Sequence, residues 1–402
     1  PYNVYGGMQD NGVWFGPSDY ESSNYWLANG KYPYQAIYGG DGMQVQVDTR
    51  DNTTVYTGYQ FGYYARVNKN TGQEELSIRP THKFGELPLR YNWQTPILLS
   101  RHNQDILYYG SNKFHRSMMN GENMETLSGD LTNGKKTGDV PYGTITTIAE
   151  SPKRFGLLYC GTDDGNVWVS KDGGYTWTKI NVFIKKELPP VKSKTPPPVF
   201  NSVPDGLWVS RVTASYHNEG TVYVSLNGYR YDNFLPYLYV STDYGATWSE
   251  IGKDLPSEPI NVVKEDPKNP NVIYVGTDNG LYVSINGGKN FMTFSGNLPR
   301  VAVHDIAIQE RDNEMVIATH GRSLYKVKLD EVQALDFISN KEIHVFKPEQ
   351  FMYDENAGKQ FNVFDKPYEP VYQFPYYVKT AGTTTITIAT VDGTIINEFT
   401  DI

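Results

Sequence analysis

The sequence predicts an all-β protein: a seven-bladed β-propeller, followed by the opening strands of an Ig-like β-sandwich. Three observations carry this. An apolar strand returns about every 50 residues, the length a four-stranded blade needs. A second strand precedes it at a fixed distance. An eight-position turn motif occurs twice unbroken.

The returning strand is marked by a tyrosine: Tyr5, Tyr56, Tyr108, Tyr159, Tyr223 and Tyr274, with Ile317 in the same place in the last repeat. The successive spacings are 51, 52, 51, 64, 51 and 43. Eight residues before each marker from Tyr56 onward stands the end of another strand, at Asp48, Ser100, Ser151, Ser215, Asp266 and Gln309. Those strands read MQVQV, PILL, TITTIA, RVTA, INVVK and DIAI, and they are assigned as strand A, the innermost of each blade. The marker strand is B, and the LYVS-type strand after it is C. The first repeat shows no strand A, so upstream residues or another segment are expected to close the ring. The ring is expected to be the second of two, with the natural N-terminus upstream of Pro1.

The turn between strands C and D carries S-x-D-x-G-x-T-W, the Asp-box. One copy is Ser170, Asp172, Gly174, Thr176, Trp177; the other is Ser241, Asp243, Gly245, Thr247, Trp248. Asp and Gly supply the turn chemistry, because Asp bonds nearby backbone and Gly tolerates positive φ. Their expected role is structural: Asp oxygens take backbone N–H groups, and Trp packs between blades. Two degenerate copies run from Ser117 through Met119, Gly121, Asn123 and Met124, and from Ser284 through Asn286, Gly288, Asn290 and Phe291.

Composition agrees with this reading. Aromatic residues make up 14% and charged residues 20% of 402 positions, with 37 glycines and 24 prolines for turns. The formal charge of −9 argues against nucleic acid, which selects a basic face. No apolar run is long enough to span a membrane. Cys160, the only cysteine, sits in LLYCG and reads as a small buried apolar side chain.

Two insertions interrupt the period. Val182–Val203 holds LPPVKSKTPPPVF, predicted as a mobile, extended loop because proline cannot join a ladder. Asn227–Pro236 is predicted as a loop displaying Tyr229, Arg230, Tyr231 and Phe234, and Tyr20–Tyr38 as a tyrosine-rich connection. Residues 1–335 are assigned to the propeller, 336–369 to a linker, with IHVFKP either strand or linker, and 370–402 to the start of the Ig-like domain.

The Asp-boxes, together with YGGMQDNGVWFGPS, GGDGMQVQVD, RYNWQTPILLS, YGTITTIAESP, PDGLWVSRV, DPKNPNVIYVGT and ATHGRSLY, resemble the large bacterial Asp-box (BNR-repeat) proteins. These are often labelled sortilin-like or glycosyl hydrolase-like and are common among Bacteroidetes. The resemblance spans roughly residues 2–328. It implies a tandem propeller, export to the extracellular or outer-membrane surface, and C-terminal Ig-like or sorting modules. It is far less specific for an activity.

Propeller topology places the starts of strand A and the B–C turns on one face, the A–B and C–D turns on the other. The first face therefore collects the candidate site. B–C turns supply Asp10, Asn11, Asp163, Asp164, Asp278, Asn279, His320 and Arg322. The starts of strand A supply Asp41, Thr95, Thr146, Arg211, Asn261, His304 and Asp305, with Trp93 and Trp208 nearby. Asp10, Asp41 and Asp164 are the catalytic candidates, since paired carboxylates ~5–9 Å apart cleave glycosidic bonds. The others are read as ligand-binding. Two plainer readings stand beside these: Asx-turn chemistry for the turn residues, and an Arg211–Asp305 pair across the channel.

A sialidase arrangement, with three arginines on one carboxylate, has no counterpart here; Arg79 falls outside the expected positions. No metal, nucleotide or other cofactor motif occurs. The expected function is a surface binding or scaffold module for a glycan, a peptide or a partner protein, with a place in a large outer-membrane assembly as one form of it. The alternative is a glycoside hydrolase.

Overall fold

The structure is a computed structural model, which describes residues 2–20, 30, 32–134, 140–187, 199–348, 350, 354–360, 363 and 366–401. It divides into Pro1–Lys328 and Leu329–Ile402. In the first unit the described residues form seven antiparallel blades, five of four strands and two of three. Blade 1 (Asn3–Met8, Gly12–Pro17, Gln35–Tyr38) starts at strand B, and blade 7 (Val303–Gln309, Glu314–Thr319, Leu324–Lys328) stops at strand C. The two meet at a seam: burial and the neighbouring Glu314 carboxylate push the Tyr2 phenol up.

The core lies between blades, because each sheet buries both faces. Between blades 4 and 5 it holds Tyr159, Val167, Val169, Val209, Val212, Val224 and Leu226. Similar clusters fill the junctions of blades 1–2, 2–3, 3–4 and 5–6. Cys160 is buried in one of them, and burial pushes its thiol up.

The eight-residue interval has a direct cause. At the end of strand A, the N–H groups of Asp48, Ser100, Ser151, Ser215 and Asp266 each donate to the carbonyl six residues on, closing one common A–B turn. Below it, two junctions share a buried hub. Glu150 accepts from Ser100 Oγ at 2.7 Å and Tyr108 Oη at 2.9 Å. Glu265 accepts from Ser215 Oγ, Tyr223 Oη and the Tyr216 N–H at 2.6–3.0 Å.

The Asp-boxes work as expected. Asp172 Oδ1 accepts from Thr176 N at 2.9 Å and Oδ2 from Thr176 Oγ1 at 2.6 Å; Asp243 repeats both with Thr247. The bond from Thr247 holds the Asp243 carboxyl down to about 2, and Asp172 is lowered by Thr176 likewise. Ser Oγ accepts from the Gly N–H in both perfect boxes and in both degenerate ones, at 2.8–3.0 Å. That glycine has φ between +85° and +99° and packs on the residue that follows strand D of the preceding blade: Ile78, Leu127, Ile180 or Ile251. Trp177 stacks on Phe114, and Trp248 Nε1 donates to the Ile180 carbonyl, so both tryptophans lock onto the blade before.

On the same underside, three A–B turns from alternate blades converge. Arg101 of blade 3 pairs with Glu310 of blade 7 at 2.6 Å and lies over Tyr216 of blade 5.

One expectation changes. The segment Asn227–Pro236 is a lengthened hairpin, not a loop: strands Val222–Gly228 and Asn233–Ser241 extend through it around a single 3₁₀ turn, Tyr229–Tyr231. β-branched and aromatic residues on both arms favour the ladder. Arg230, in that turn, stacks on Trp208, while Tyr229, Tyr231 and Phe234 are exposed as expected. Of the two readings left open for IHVFKP, strand or linker, the structure has the strand. Asp330–Ile338 is a helix, and Ile343–Val345 is a strand paired with Tyr376–Val378. Thr384–Ala389 and Ile395–Asp401 form the hairpin expected around the DG turn. The heart of the proline-rich insertion, 188–198, and part of Tyr20–Tyr38 lie outside the described residues; the former's stem pairs Lys185–Glu187 with Val199–Asn201.

Candidate functional site

The face opposite the Asp-boxes, the crown, is built by one repeated device. In blades 4 to 7 the A–B ladder skips one residue near the start of strand A, leaving Thr146, Ser210, Asn261 and His304 without a cross-strand partner. Each is a β-bulge, which re-aims a side chain out of the ladder. All four are polar.

Their surroundings differ blade by blade. Thr146 Oγ1 donates to the Val209 carbonyl of the next blade at 2.7 Å. Ser210 and Ser225 share a bond of 2.8 Å. Asn261 Nδ2 donates to Asp278 Oδ1 at 2.9 Å. His304 packs against His320, the rings tilted by 34° with centroids 5.1 Å apart. Arg211 Nη2 donates to the His304 carbonyl and pairs with Asp305 at 3.0 Å, while its buried Nε has no hydrogen-bond partner. Lost hydration, then His320, pulls His304 below its ordinary value against the opposing fields of Asp278 and Asp305. Blades 5 to 7 thus bring Arg211, Asp278, His304, Asp305 and His320 together. Arg322 is exposed and donates to its neighbour's carbonyl, at Gly321.

The carboxylates proposed for chemistry fall into two groups. Asp10 and Asp41 are neighbours: the Asp10 N–H donates to Asp41 Oδ1 at 2.9 Å. Asp10 has φ +63°, and with Asn11, Tyr38 and Gly40 it lines an open hollow of about 520 Å³. Asp163 and Asp164 serve the loops around them. Asp163 is buried and accepts from Tyr142 N, Thr144 N and Thr144 Oγ1; burial, the larger effect, raises its carboxyl against those bonds. Asp164 accepts from Asn133 N and Thr162 Oγ1.

Sequence reasoning passed over an aromatic stack across blades 1 to 3. Tyr38, Tyr59 and Tyr63 stack in turn, and the Arg79 guanidinium lies 4.1 Å from the Tyr63 ring and 4.0 Å from Tyr91. Trp93 stands beside it, edge-on to Phe61, which also meets Tyr142. The clue was present: two tyrosines flank the B–C turn of blade 2. Ser210 was likewise legible, one residue before Arg211 in the bulge register.

Among the described residues no group of three His, Cys, Asp or Glu is placed to hold a metal ion. No helix there is long and apolar enough to cross a membrane.

Residues 237–366 match the family model described as Sortilin, neurotensin receptor 3 (Sortilin-Vps10). A xyloglucanase of Hypocrea jecorina (strain QM6a) is 28% identical over 180 residues, 43% of this chain and 20% of that protein. The GH74 xyloglucanase of Xanthomonas campestris superposes with a TM-score of 0.53 at 16% identity, covering 80% of this chain and 49% of that one. The GH74 enzyme of Niastella koreensis gives 0.53 and 16%, covering 81% and 50%. A chain of the mitotic checkpoint complex gives 0.52 and 13%, covering 81% and 86%. These superpositions show the propeller fold. The chain spans a fifth of the curated relative it matches and about half of each GH74 structure.

Proposed function

Since this chain is a sortilin-like Asp-box β-propeller, we propose that it is an exported protein whose crown binds a polysaccharide. The observation that carries the reading is the row of bulges, which presents Thr146, Ser210, Asn261 and His304 beside Arg211, Asp278 and Asp305. Hydroxyl, amide, imidazole and carboxylate groups side by side match the alternating donors and acceptors of sugar hydroxyls. The 28% identity to a xyloglucanase over 180 residues favours a xyloglucan-type polysaccharide over a peptide.

A second reading, glycoside hydrolysis, is favoured by the open hollow that Asp10 lines and by Asp41, whose carboxylate accepts the Asp10 N–H. One carboxyl would protonate the glycosidic oxygen while the other, ionised, attacks the anomeric carbon or activates water. Fold alone does not decide between the two.

The test is glycan-array binding together with reducing-sugar release from xyloglucan and related polymers, for wild type, Asp10→Asn/Asp41→Asn and Arg211→Ala. Binding without release, lost in Arg211→Ala, supports the binding reading. Release abolished in the double variant with binding retained supports hydrolysis. No retention of any polysaccharide by wild type overturns both.

A further inference from the structure

Away from the channel, between blades 4 and 5, lies a cavity of about 260 Å³. We propose that it is a separate binding site for a single uncharged sugar ring. The proposal does not rest on the crown reading.

The cavity exists because the connection between these blades is long. The marker spacing is 64 residues here against 51 or 52 over the first three intervals, and both ends of the extra segment line the opening through Val182, Asn201 and Val203. The floor is apolar: Val182, Val203, Leu207 and Leu226, each at most 5% exposed. Such a floor suits the C–H face of a pyranose.

The walls are amides held in one orientation. Asn181 Nδ2 donates to Asn166 Oδ1 at 3.2 Å, and Asn166 Nδ2 donates to Asn133 Oδ1 at 3.1 Å. Asn133 is fixed in turn by Asp164, which accepts its N–H at 2.6 Å and takes its Nδ2 on the backbone carbonyl at 2.9 Å. Asn201 is locked by Ile184 N and the Val182 carbonyl. Side chains fixed this way lose little freedom when a ligand arrives.

The rim is bare backbone. Gly165 and Gly206 have φ +87° and +73°, and a Cβ on Gly165 would stand 2.9 Å from Gly206 Cα. Glycine is required at that contact, and it lets a ligand approach the main chain closely. At the mouth stand Asp205 and Lys179, both exposed, which offer an acceptor and a donor to ring hydroxyls.

Size narrows the class. Sites for drug-sized ligands run about 300–1,000 Å³, so this cavity takes one ring rather than a chain. Paired amides and carboxylates over aliphatic side chains select a neutral polyol, such as a branch sugar projecting from a polysaccharide.

The test is protein-observed NMR on the full chain, titrated with the methyl glycosides of xylose, galactose and glucose, and with glycine. The expected result is saturable shifts at the Asn133, Asn166, Asn181 and Asn201 side chains with at least one glycoside. Asp205→Ala should weaken the affinity about tenfold, the size of one hydrogen bond to a charged group. Lys179→Met should weaken it less. Both residues are on the surface, so the fold survives either change. Asp10→Asn/Asp41→Asn should leave this binding intact, which separates failure here from failure of the crown reading. The proposal is overturned if no glycoside shifts these amides, if glycine alone does, or if Asp205→Ala and Lys179→Met both bind as wild type.

Discussion

The underside and the crown of this propeller are made from the same seven repeats and follow opposite rules. Below, the blades repeat one solution: among the described residues five share an A–B turn closed over six residues, and four seat a glycine on the preceding blade. Above, the backbone repeats its bulge while the side chains on it change from Thr to Ser, Asn and His. The contacts that tie blade to blade lie where the repeats agree, and the side chains proposed for recognition lie where they diverge.

The sharpest break in that contrast is Glu265→Ala. It strands Ser215, Tyr223 and the Tyr216 N–H in a buried place, and should cost about 3–5 kcal/mol in denaturant unfolding. A loss below ~1 kcal/mol would mean that the hub is not where the ring is held.

Acid should act next, through His115. It is buried between Ser111 and Thr126, and burial lowers its imidazole to about 3. The unfolded chain, with an ordinary histidine near ~6.5, binds a proton that the folded chain refuses. Stability should therefore fall as pH drops from about 6.5 towards 3, by ~3 kcal/mol at pH 4. His115→Gln should flatten that slope; an unchanged slope would assign it elsewhere.

Gly245→Ala combines φ +87° with a Cβ 2.4 Å from Ile180 Cδ1. It should cost about 1–3 kcal/mol, read as a lower Tm. Repair of the degenerate box by Asn286→Asp with Asn290→Thr should stabilise by ~0.5–1 kcal/mol, since it restores the threonine hydroxyl and the charged acceptor found in the intact boxes.

The smallest effect on stability belongs to the crown. Asp41→Asn should shift unfolding by less than ~0.5 kcal/mol. Retention on a glycan column should respond far more strongly, and a variant that loses both equally would erase the distinction between the faces.

The same contrast explains what could be read from the chain. Tyr56 to Tyr274 gave the blade period because a fully buried strand B tolerates little change. Asp172 and Asp243 were legible because a local turn specifies its own residues. The crown candidates were chosen by topology alone, which places a residue on a face but not its partners. Asp163 and Asp164 thus resembled ligand-facing groups, whereas three-dimensional neighbours such as Thr144 and Asn133 claim their oxygens. The stack on Arg79 stayed hidden because its members come from three blades. The helix Asp330–Ile338 was missed where the fifty-residue rhythm ends and supplies no register.

The meeting of Arg101, Glu310 and Tyr216 joins blades 3, 5 and 7, which are not neighbours in the ring. The underside is thus braced across the ring as well as around it. Because that ion pair is half-exposed, concentrated salt would loosen the brace while leaving the contacts between adjacent blades in place.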